Sequence, residues 1–483
     1  MFLRHCELHN FRSWDHLSLD LQPGITVFVG ANGQGKTNFL EGINYLATLR
    51  SHRVSGDGPL IHEGADSAQL AATAVHNRRE LTVALDIHTG KTNQATINTS
   101  PCRPRDILGV ISTVLFAPED LSLVRGDPAG RRAYLDDLLI QRRPRLRGVT
   151  NDYDKILRQR NALLKSASMA LRHGYRTSAG ASALATLDAW DAQLARVGAQ
   201  LVAARLHLLR TIAPLVARNY AELAPHSRPV HLSYTSIPQI TVEDCEAGLP
   251  LDMDYLEAAL LAGLAEKRDR EIERGITLAG PHRDDLTVLL GVQPAKGFAS
   301  HGESWSLALA LRLAAYDLLT ADGTEPILLL DDVFAELDRY RREALAAVAA
   351  KAEQTLITAA VGEDLPTELH VAATHTVSTV GEASHRISLL DGILTDDPTL
   401  NEPDLAELGS VEAGSAEPQP AVPGSVEAGS VEAGSAESRS VKPGTVVSGS
   451  ADRADPVQAG PTQTDAAQTH PAQVEQPEEV DGQ

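Results

Sequence analysis

Cysteine is scarce in this chain: three in 483 residues, Cys6, Cys102 and Cys245, far apart in sequence. That spacing supports neither a disulfide framework nor a zinc cluster. Long apolar runs are missing too. None approaches the roughly 20 residues a bilayer-spanning helix requires, although 43% of residues are hydrophobic and 22% charged, as in a soluble globular protein. The opening Met1-Phe2-Leu3-Arg4-His5-Cys6 lacks the extended apolar core and small-residue cleavage site of a secretion signal. A cytoplasmic location is expected, and the length suits two or three domains.

An overall basic excess, the usual footprint of a nucleic-acid binder, is also lacking: the formal net charge is −21. The deficit is unevenly spread. Residues 401–483 hold 15 Asp/Glu against 3 Lys/Arg, so this stretch carries −12 and the first 400 residues −9. From Gly409 to Glu437 it repeats Gly-Ser-Val-Glu-Ala-Gly-Ser-Ala-Glu-like units poor in large apolar side chains. Such a composition cannot bury enough surface to offset chain entropy, and a disordered acidic tail over 398–483 is expected. Its charge is expected to compete with DNA for basic surface elsewhere.

What the chain does have is Gly30-Ala31-Asn32-Gly33-Gln34-Gly35-Lys36-Thr37, an unbroken G-x-x-x-x-G-K-[ST] pattern. Before it, Gly24-Ile25-Thr26-Val27-Phe28-Val29 reads as a buried strand; after it, Phe39, Ile43 and Leu46 recur at helical spacing. Glycines there let backbone N–H groups turn inward around an anion, and the helix N-terminus adds partial positive charge. Lys36 is expected on the β- and γ-phosphates of ATP and the Thr37 hydroxyl on Mg²⁺. A second stretch, Pro326-Ile327-Leu328-Leu329-Leu330-Asp331-Asp332, is an apolar strand delivering two carboxylates at its C-terminal end, where ligands sit in α/β sheets. Asp331 suits a Mg²⁺ contact, and Asp332 suits orienting or deprotonating the attacking water. With Lys36, Asp332 forms the expected catalytic set.

Between these stretches the character changes. Leu3–Leu21 reads as a strand pair, with Arg12 close enough to line the nucleotide or the DNA side. Ser51-His52-Arg53 follows the loop's helix, residues 69–97 are β-rich, and Thr113–Phe116 reads as a buried strand. Arg125–Lys165 then holds 11 Lys/Arg against 5 Asp/Glu, densest at Arg131-Arg132 and Arg142-Arg143-Pro144-Arg145-Leu146-Arg147. Arg131, Arg132, Arg142, Arg143 and Arg145 are the candidate DNA contacts; a solvated helix face is the alternative. Leu187, Leu194, Leu201 and Leu208 fall seven apart, a heptad seam of about 40 Å. It should pack on the helix carrying Tyr153, Ile156, Leu157, Leu163 and Leu164, with Pro214 kinking or ending it.

Ala299-Ser300-His301-Gly302-Glu303-Ser304, leading into an apolar helix, resembles the signature loop of ABC-type ATPases. Ser300 and Gly302 match that loop's Ser and central Gly, which implies contact with a γ-phosphate held by a second subunit. Glu303-Ser304 departs from the usual Gly-Gln or Gln-Gln. Together with Ser51-His52-Arg53, Phe116-Ala117-Pro118-Glu119-Asp120, Arg158-Gln159-Arg160-Asn161, Gly280-Pro281-His282-Arg283-Asp284-Asp285 and Leu330–Asp338, these residues resemble the SMC-like branch of the ABC ATPases, up to about Asp391.

The resemblance implies an α/β ABC-type P-loop ATPase head with an inserted helical lobe: head over 1–125 and 275–397, lobe over 126–274. It is most specific to the recombinational-repair members of that branch. It therefore implies an ATP-dependent homodimer on gapped DNA or single-strand/double-strand junctions, weak DNA-dependent ATP hydrolysis, association with the nucleoid, and work with RecR and RecO to place RecA. Transporter-type relatives carry a Gln near 113–120 and a His after the strand at Thr355–Thr358; Thr358-Ala359-Ala360 stands at the second place. Their loss suits a slow ATPase. A transporter subunit and a non-hydrolysing clamp are the competing readings.

Overall fold

A computed structural model describes residues 1–236, 251–366, 369–380 and 384–390. Cys245 and the expected acidic tail lie outside the described residues. Among those described, no helix is long and apolar enough to cross a membrane.

The chain opens with β1 (Phe2–Phe11), β2 (Trp14–Asp20) and β3 (Gly24–Val29), then α1 (Lys36–Thr48). Next come β4 (Ser67–His76), β5 (Arg79–His88), β6 (Gln94–Ile97), β7 (Ser100–Cys102) and β8 (Thr113–Phe116). A helical stretch follows: α2 (Leu121–Arg125), α3 (Pro128–Arg142), α4 (Leu146–Ser166), α5 (Ser168–His173) and α6 (Ser178–Leu223). The remainder comprises β9 (Val230–Thr235), α7 (Met253–Arg274), β10 (Asp285–Leu290), β11 (Gln293–Pro294), α8 (His301–Ala321), β12 (Ile327–Asp331), α9 (Arg339–Ala349), β13 (Gln354–Ala359), β14 (Val371–Val380) and β15 (Ser384–Leu390).

The central sheet has the order β15-β14-β3-β13-β12-β8, parallel except for the antiparallel β15 edge. Strands β3, β8 and β12 read as near-continuous apolar runs because both faces are covered. In β12, Ile327 and Leu329 join one core layer and Leu328 and Leu330 the other, all four fully buried. Burying such a side chain is worth about 1.5–3 kcal/mol. One layer is closed by α1 and by an antiparallel sheet of order β2-β1-β4-β5-β6-β7; the other by α3, α6 and α8. The parallel strands therefore present their C-terminal ends along one edge. That edge carries the phosphate loop after β3 and the two aspartates after β12.

In the helical part, Leu187, Leu194, Leu201 and Leu208 are all buried, and Tyr153, Ile156, Leu157, Leu163 and Leu164 pack with the seam's first half. Pro214 does not end this helix: α6 runs 46 residues, through the proline to Leu223. At about 1.5 Å per residue that is ~70 Å, longer than the heptads alone suggested. Packing of Ile212, Val216 and Tyr220 into the main core carries the helix past the lost backbone bond. Arg160, in the stretch expected to be basic surface, is fully buried. It donates to Asp191 (2.6 Å), Glu271 (2.7 Å) and Thr277 (2.9 Å), tying α4, α6 and α7 together. β9 lies within the stretch read as helical, yet it pairs antiparallel with β10.

Candidate nucleotide site

The phosphate loop leaves β3 at Val29 and enters α1 at Lys36. Gly33 and Gly35 adopt φ of 87° and 90°, the left-handed region that glycine tolerates best. Space as well as conformation restricts Gly35: a Cβ there would lie 2.7 Å from Ser13 Oγ and 3.1 Å from the Trp14 ring. Trp14 Nε1 donates to Gly35 O (3.1 Å) and Asn38 Nδ2 to Ser13 Oγ (2.7 Å), so the β1–β2 turn braces the loop. A side chain on Gly30 would meet Val377 O at 2.3 Å. Lys36 is only 3% exposed and folds back on the loop, donating to Gly30 O (2.7 Å) and Ala31 O (3.2 Å). Its ammonium is held by these two loop carbonyls, which phosphate oxygens can replace.

Across the sheet edge, Thr37 Oγ1 donates to Asp331 Oδ1 (2.9 Å), and Thr358 Oγ1 donates to the same oxygen (2.7 Å). Thr358 Oγ1 also accepts from the Asp332 backbone N–H (2.9 Å). Strands β3, β13 and β12 are neighbours, with Asp331 opposite Thr358, so the three loops cannot avoid meeting. Burial pushes the Asp331 carboxyl up to about 6, against the two threonine bonds and with help from the charges of Asp332 and Glu119. A buried carboxylate whose partners are hydroxyls is short of positive charge, a condition that a divalent cation relieves. Asp332 takes φ of 48°, so the backbone turns off the strand directly after Asp331. Thr358 was invisible as a site residue in sequence, where it registered only as a missing histidine.

Arg12 is engaged on the flank of the phosphate-loop helix. It forms a two-pronged pair with the fully buried Glu41 of α1 (2.6 and 2.9 Å) and donates to Pro59 O (2.9 Å). Ser51 (2.5 Å) and Arg53 (3.3 Å) join the same carboxylate. Burial alone raises the Glu41 carboxyl, yet the bonds from Arg12 and Ser51 leave it below its ordinary value. Ser51-His52-Arg53 therefore locks the flank of the phosphate-loop helix.

Ser300 is the N-cap of α8. Its Oγ accepts from Glu303 N (3.2 Å), while its own N–H donates to Glu303 Oε2 (2.8 Å). The departure at Glu303 is thus a capping box; Arg228 lies 3.4 Å from the same side chain. The backbone N–H and the side chain of Ser300 both bond the Glu303 carboxylate and hold it below its ordinary value. Gly302 is half-buried beside Arg341, whose Nη2 would lie 3.4 Å from an added Cβ. None of the hydrogen bonds found for Ser300 or Glu303 reaches Gly30–Thr37 of the same chain.

The five arginines read as DNA contacts divide. Arg131 is 6% exposed and pairs with Asp285 through two bonds (2.8 and 3.0 Å); Arg132 donates to Asp284 O (2.7 Å); Arg142 pairs with Asp322 (2.5 and 3.0 Å). Each of these three side chains engages a protein partner. Arg143 and Arg145 are exposed, and no ion pair holds either side chain among the described residues. Arg143, Arg142 and Arg210 together add to burial in pushing the His207 imidazole below its ordinary value, a sign of crowded positive charge. This surface follows Gln141, which bonds Thr113 N at the start of β8 (3.1 Å), so it lies at the sheet edge opposite Asp331.

Residues 2–375 match the family model described as the RecF/RecN/SMC N terminal domain. The DNA replication and repair protein RecF of Rhodococcus erythropolis (strain PR4 / NBRC 100887) is 57% identical over 379 residues, 77% of this chain and 92% of that protein. The fold is similar to two solved structures of the recombination mediator protein RecF in the RecFOR pathway, one described with ATPrS and one with ATP. Their TM-scores are 0.69 and 0.68 at 23% and 22% identity, over 78% and 80% of this chain and 96% and 99% of theirs. With the motif spacing, the sheet order and these likenesses in agreement, the chain belongs to the RecF family.

Proposed function

We propose that this chain is an ATP-driven switch on DNA: it binds ATP with Mg²⁺, pairs with a second copy, engages gapped or junction DNA, and hydrolyses ATP slowly to let go. The observation that carries this is the meeting of Thr37, Asp331 and Thr358 at one carboxylate oxygen, directly below the phosphate loop. Gly30, Ala31, Asn32, Gly33, Gln34 and Gly35 supply the loop's backbone donors, and Lys36 supplies charge to the β- and γ-phosphates. Thr37 and Asp331 would hold Mg²⁺, which neutralises phosphate charge when bound. Asp332 positions or deprotonates the attacking water. Thr358 supplies a hydroxyl where a histidine would serve faster relatives, which suits a timer.

The half-site at Ser300 and Gly302 makes none of its hydrogen bonds to its own phosphate loop, so the reading requires a second chain to complete each nucleotide site. Arg143 and Arg145 are the arginines left for DNA phosphates. Loading of RecA with the help of RecR and RecO is carried over from the family alone. The test is light-scattering size with and without ATP and gapped DNA, alongside phosphate release. A doubling in mass with ATP and DNA-stimulated release are expected. An ATP-independent mass would remove the switch, and absence of release would leave a non-hydrolysing clamp.

A further inference from the structure

On the outer face of the β1–β2 pair, away from the core, Glu7, His9 and His16 converge, their candidate ligand atoms all within 4.8 Å of one another. The register makes this obligatory: His9 sits directly opposite His16, and Glu7 precedes His9 by one same-face position, while Leu8 and Leu17 point into the core. His9 Nε2 lies 2.8 Å from Glu7 Oε1, and His9 Nδ1 lies 3.1 Å from His16 Nδ1, with the two rings 4.3 Å apart. A carboxylate on Nε2 fixes the proton there and leaves Nδ1 as a lone pair aimed at its neighbour. No Lys or Arg occupies the adjoining same-face positions His5, Asp20, Gln69 and Asp86, and Asp20 and Asp86 add negative charge.

We propose that this cluster is a divalent transition-metal site of the zinc class, separate from the nucleotide's magnesium. His9 Nδ1 and His16 Nδ1 are the protein ligands, water completes the shell, and Glu7 is a positioning residue. Two nitrogens at ~2.0–2.1 Å from one ion, at an angle of roughly 100°, lie about 3.1 Å apart, the separation that the fold already imposes. Imidazole pairs suit zinc, nickel and copper; magnesium and calcium take oxygen ligands instead. The histidine rung lies one step before the turn whose Ser13 and Trp14 brace the phosphate loop. A metal there clamps the hairpin behind that brace.

The test is equilibrium dialysis of the full chain against zinc chloride, with bound metal counted, and melting with and without zinc. The wild type is expected to hold one more zinc than the double variant His9→Gln/His16→Gln and to lose its zinc-dependent rise in melting temperature in that variant. Glu7→Gln should keep the stoichiometry and bind zinc at least about 10-fold more weakly, the usual size of such a positioning effect. His16→Gln alone, changing an exposed side chain, serves if the double variant does not fold. Equal zinc counts in wild type and the histidine variants would overturn the site, as would a count that falls only when Cys102 is replaced.

Discussion

Arg312, on the helix that Ser300 caps, donates from both Nε (3.0 Å) and Nη2 (2.6 Å) to one carboxylate oxygen of Asp120. Asp120 closes the loop after β8, and its other oxygen accepts from Ala117 N (3.1 Å). The guanidinium also lies 5.6 Å from the centre of the Tyr134 ring on α3. Helix α8 is therefore fastened to the nucleotide edge of the sheet and to the helical part at once. Arg312→Ala leaves a nearly buried carboxylate uncompensated. Such losses cost about 3–5 kcal/mol, and the side chain's 23% exposure puts this one near the lower end. Urea denaturation should show the loss, and Arg312→Lys should recover only part of it, because one ammonium cannot replace the fork.

At the opposite edge, Arg143 and Arg145 are expected to act on DNA alone. Replacing both by Ala should weaken binding to every sequence and flatten the plot of log affinity against log salt by about two units, roughly 0.9 per lost phosphate contact. Arg131→Ala should instead destabilise the fold, since it strands Asp285 beside a buried gap. A salt series by fluorescence anisotropy, together with melting curves, separates the two effects. An unchanged slope in the double variant moves the DNA surface elsewhere.

That division marks where sequence stops being legible. Fold class and phosphate loop could be read because they are local: a glycine pattern between a strand and a helix, and an apolar strand ending in two acids. Arg131, Arg142 and Arg160 look like surface charge in sequence, since their partners Asp285, Asp322 and Asp191 with Glu271 lie 154, 180, 31 and 111 residues away. Thr358 was hidden for the same reason: its function comes from standing opposite Asp331 on the neighbouring strand. The zinc-class cluster depends on a register that pairs His9 with His16, which no periodicity in either strand specifies alone.

Binding and turnover should separate at the two carboxylates. Asp332→Asn keeps the shape but removes the charge that positions water, so ATP should bind and turnover should be lost. Thr358→Val removes a hydroxyl that donates to Asp331 and accepts from Asp332 N. Hydrogen bonds to charged groups are worth about 1.5–3 kcal/mol, so turnover should fall at least about tenfold. Lys36→Ala should weaken ATP binding by a similar factor or more. Single-turnover phosphate release and nucleotide titration check each; a fully active Asp332→Asn would remove Asp332 from the mechanism.

Two neighbouring groups in the loop between α7 and β10 should oppose one another with pH. Burial pushes His282 down to about 4, beside Tyr153 Oη at 2.7 Å, and pushes Asp284 up to about 6, against its bond from Tyr234 and the charge of Arg205. Below about pH 6.5 the unfolded chain protonates His282 while the folded chain does not, so stability falls as pH drops towards 4. Asp284 holds its proton in the folded chain from about pH 6 downward while the unfolded chain does not until near 4, so its contribution rises over the same window. At 1.36 kcal/mol per unit each effect is about 3 kcal/mol, and they nearly cancel. His282→Asn should leave a chain that gains stability from pH 6 to 4, and Asp284→Asn one that loses it. Denaturation midpoints across that range check the sign, and parallel profiles for the two variants would refute the pairing.

How the halves of the nucleotide site meet is the most exposed expectation. Lys36 and Thr37 lie at the C-terminal edge of the parallel sheet, while Ser300 and Gly302 open a helix whose capping bonds engage Glu303, Ser304 and nothing in their own phosphate loop. On this reading the Ser300 hydroxyl turns to the γ-phosphate held by a second chain when the two pair. Ser300→Arg retains a backbone N–H for Glu303 but replaces the cap with a long cation at the proposed contact. It should cost about 1 kcal/mol of stability as a lost N-cap, bind ATP normally in its own loop, and remain monomeric at every ATP concentration. Ser300→Ala separates the effects, because it loses the same cap without obstructing the face, and should dimerise weakly. Mass measured with and without ATP decides: a Ser300→Arg chain that still pairs with ATP would show that each site is complete within one chain.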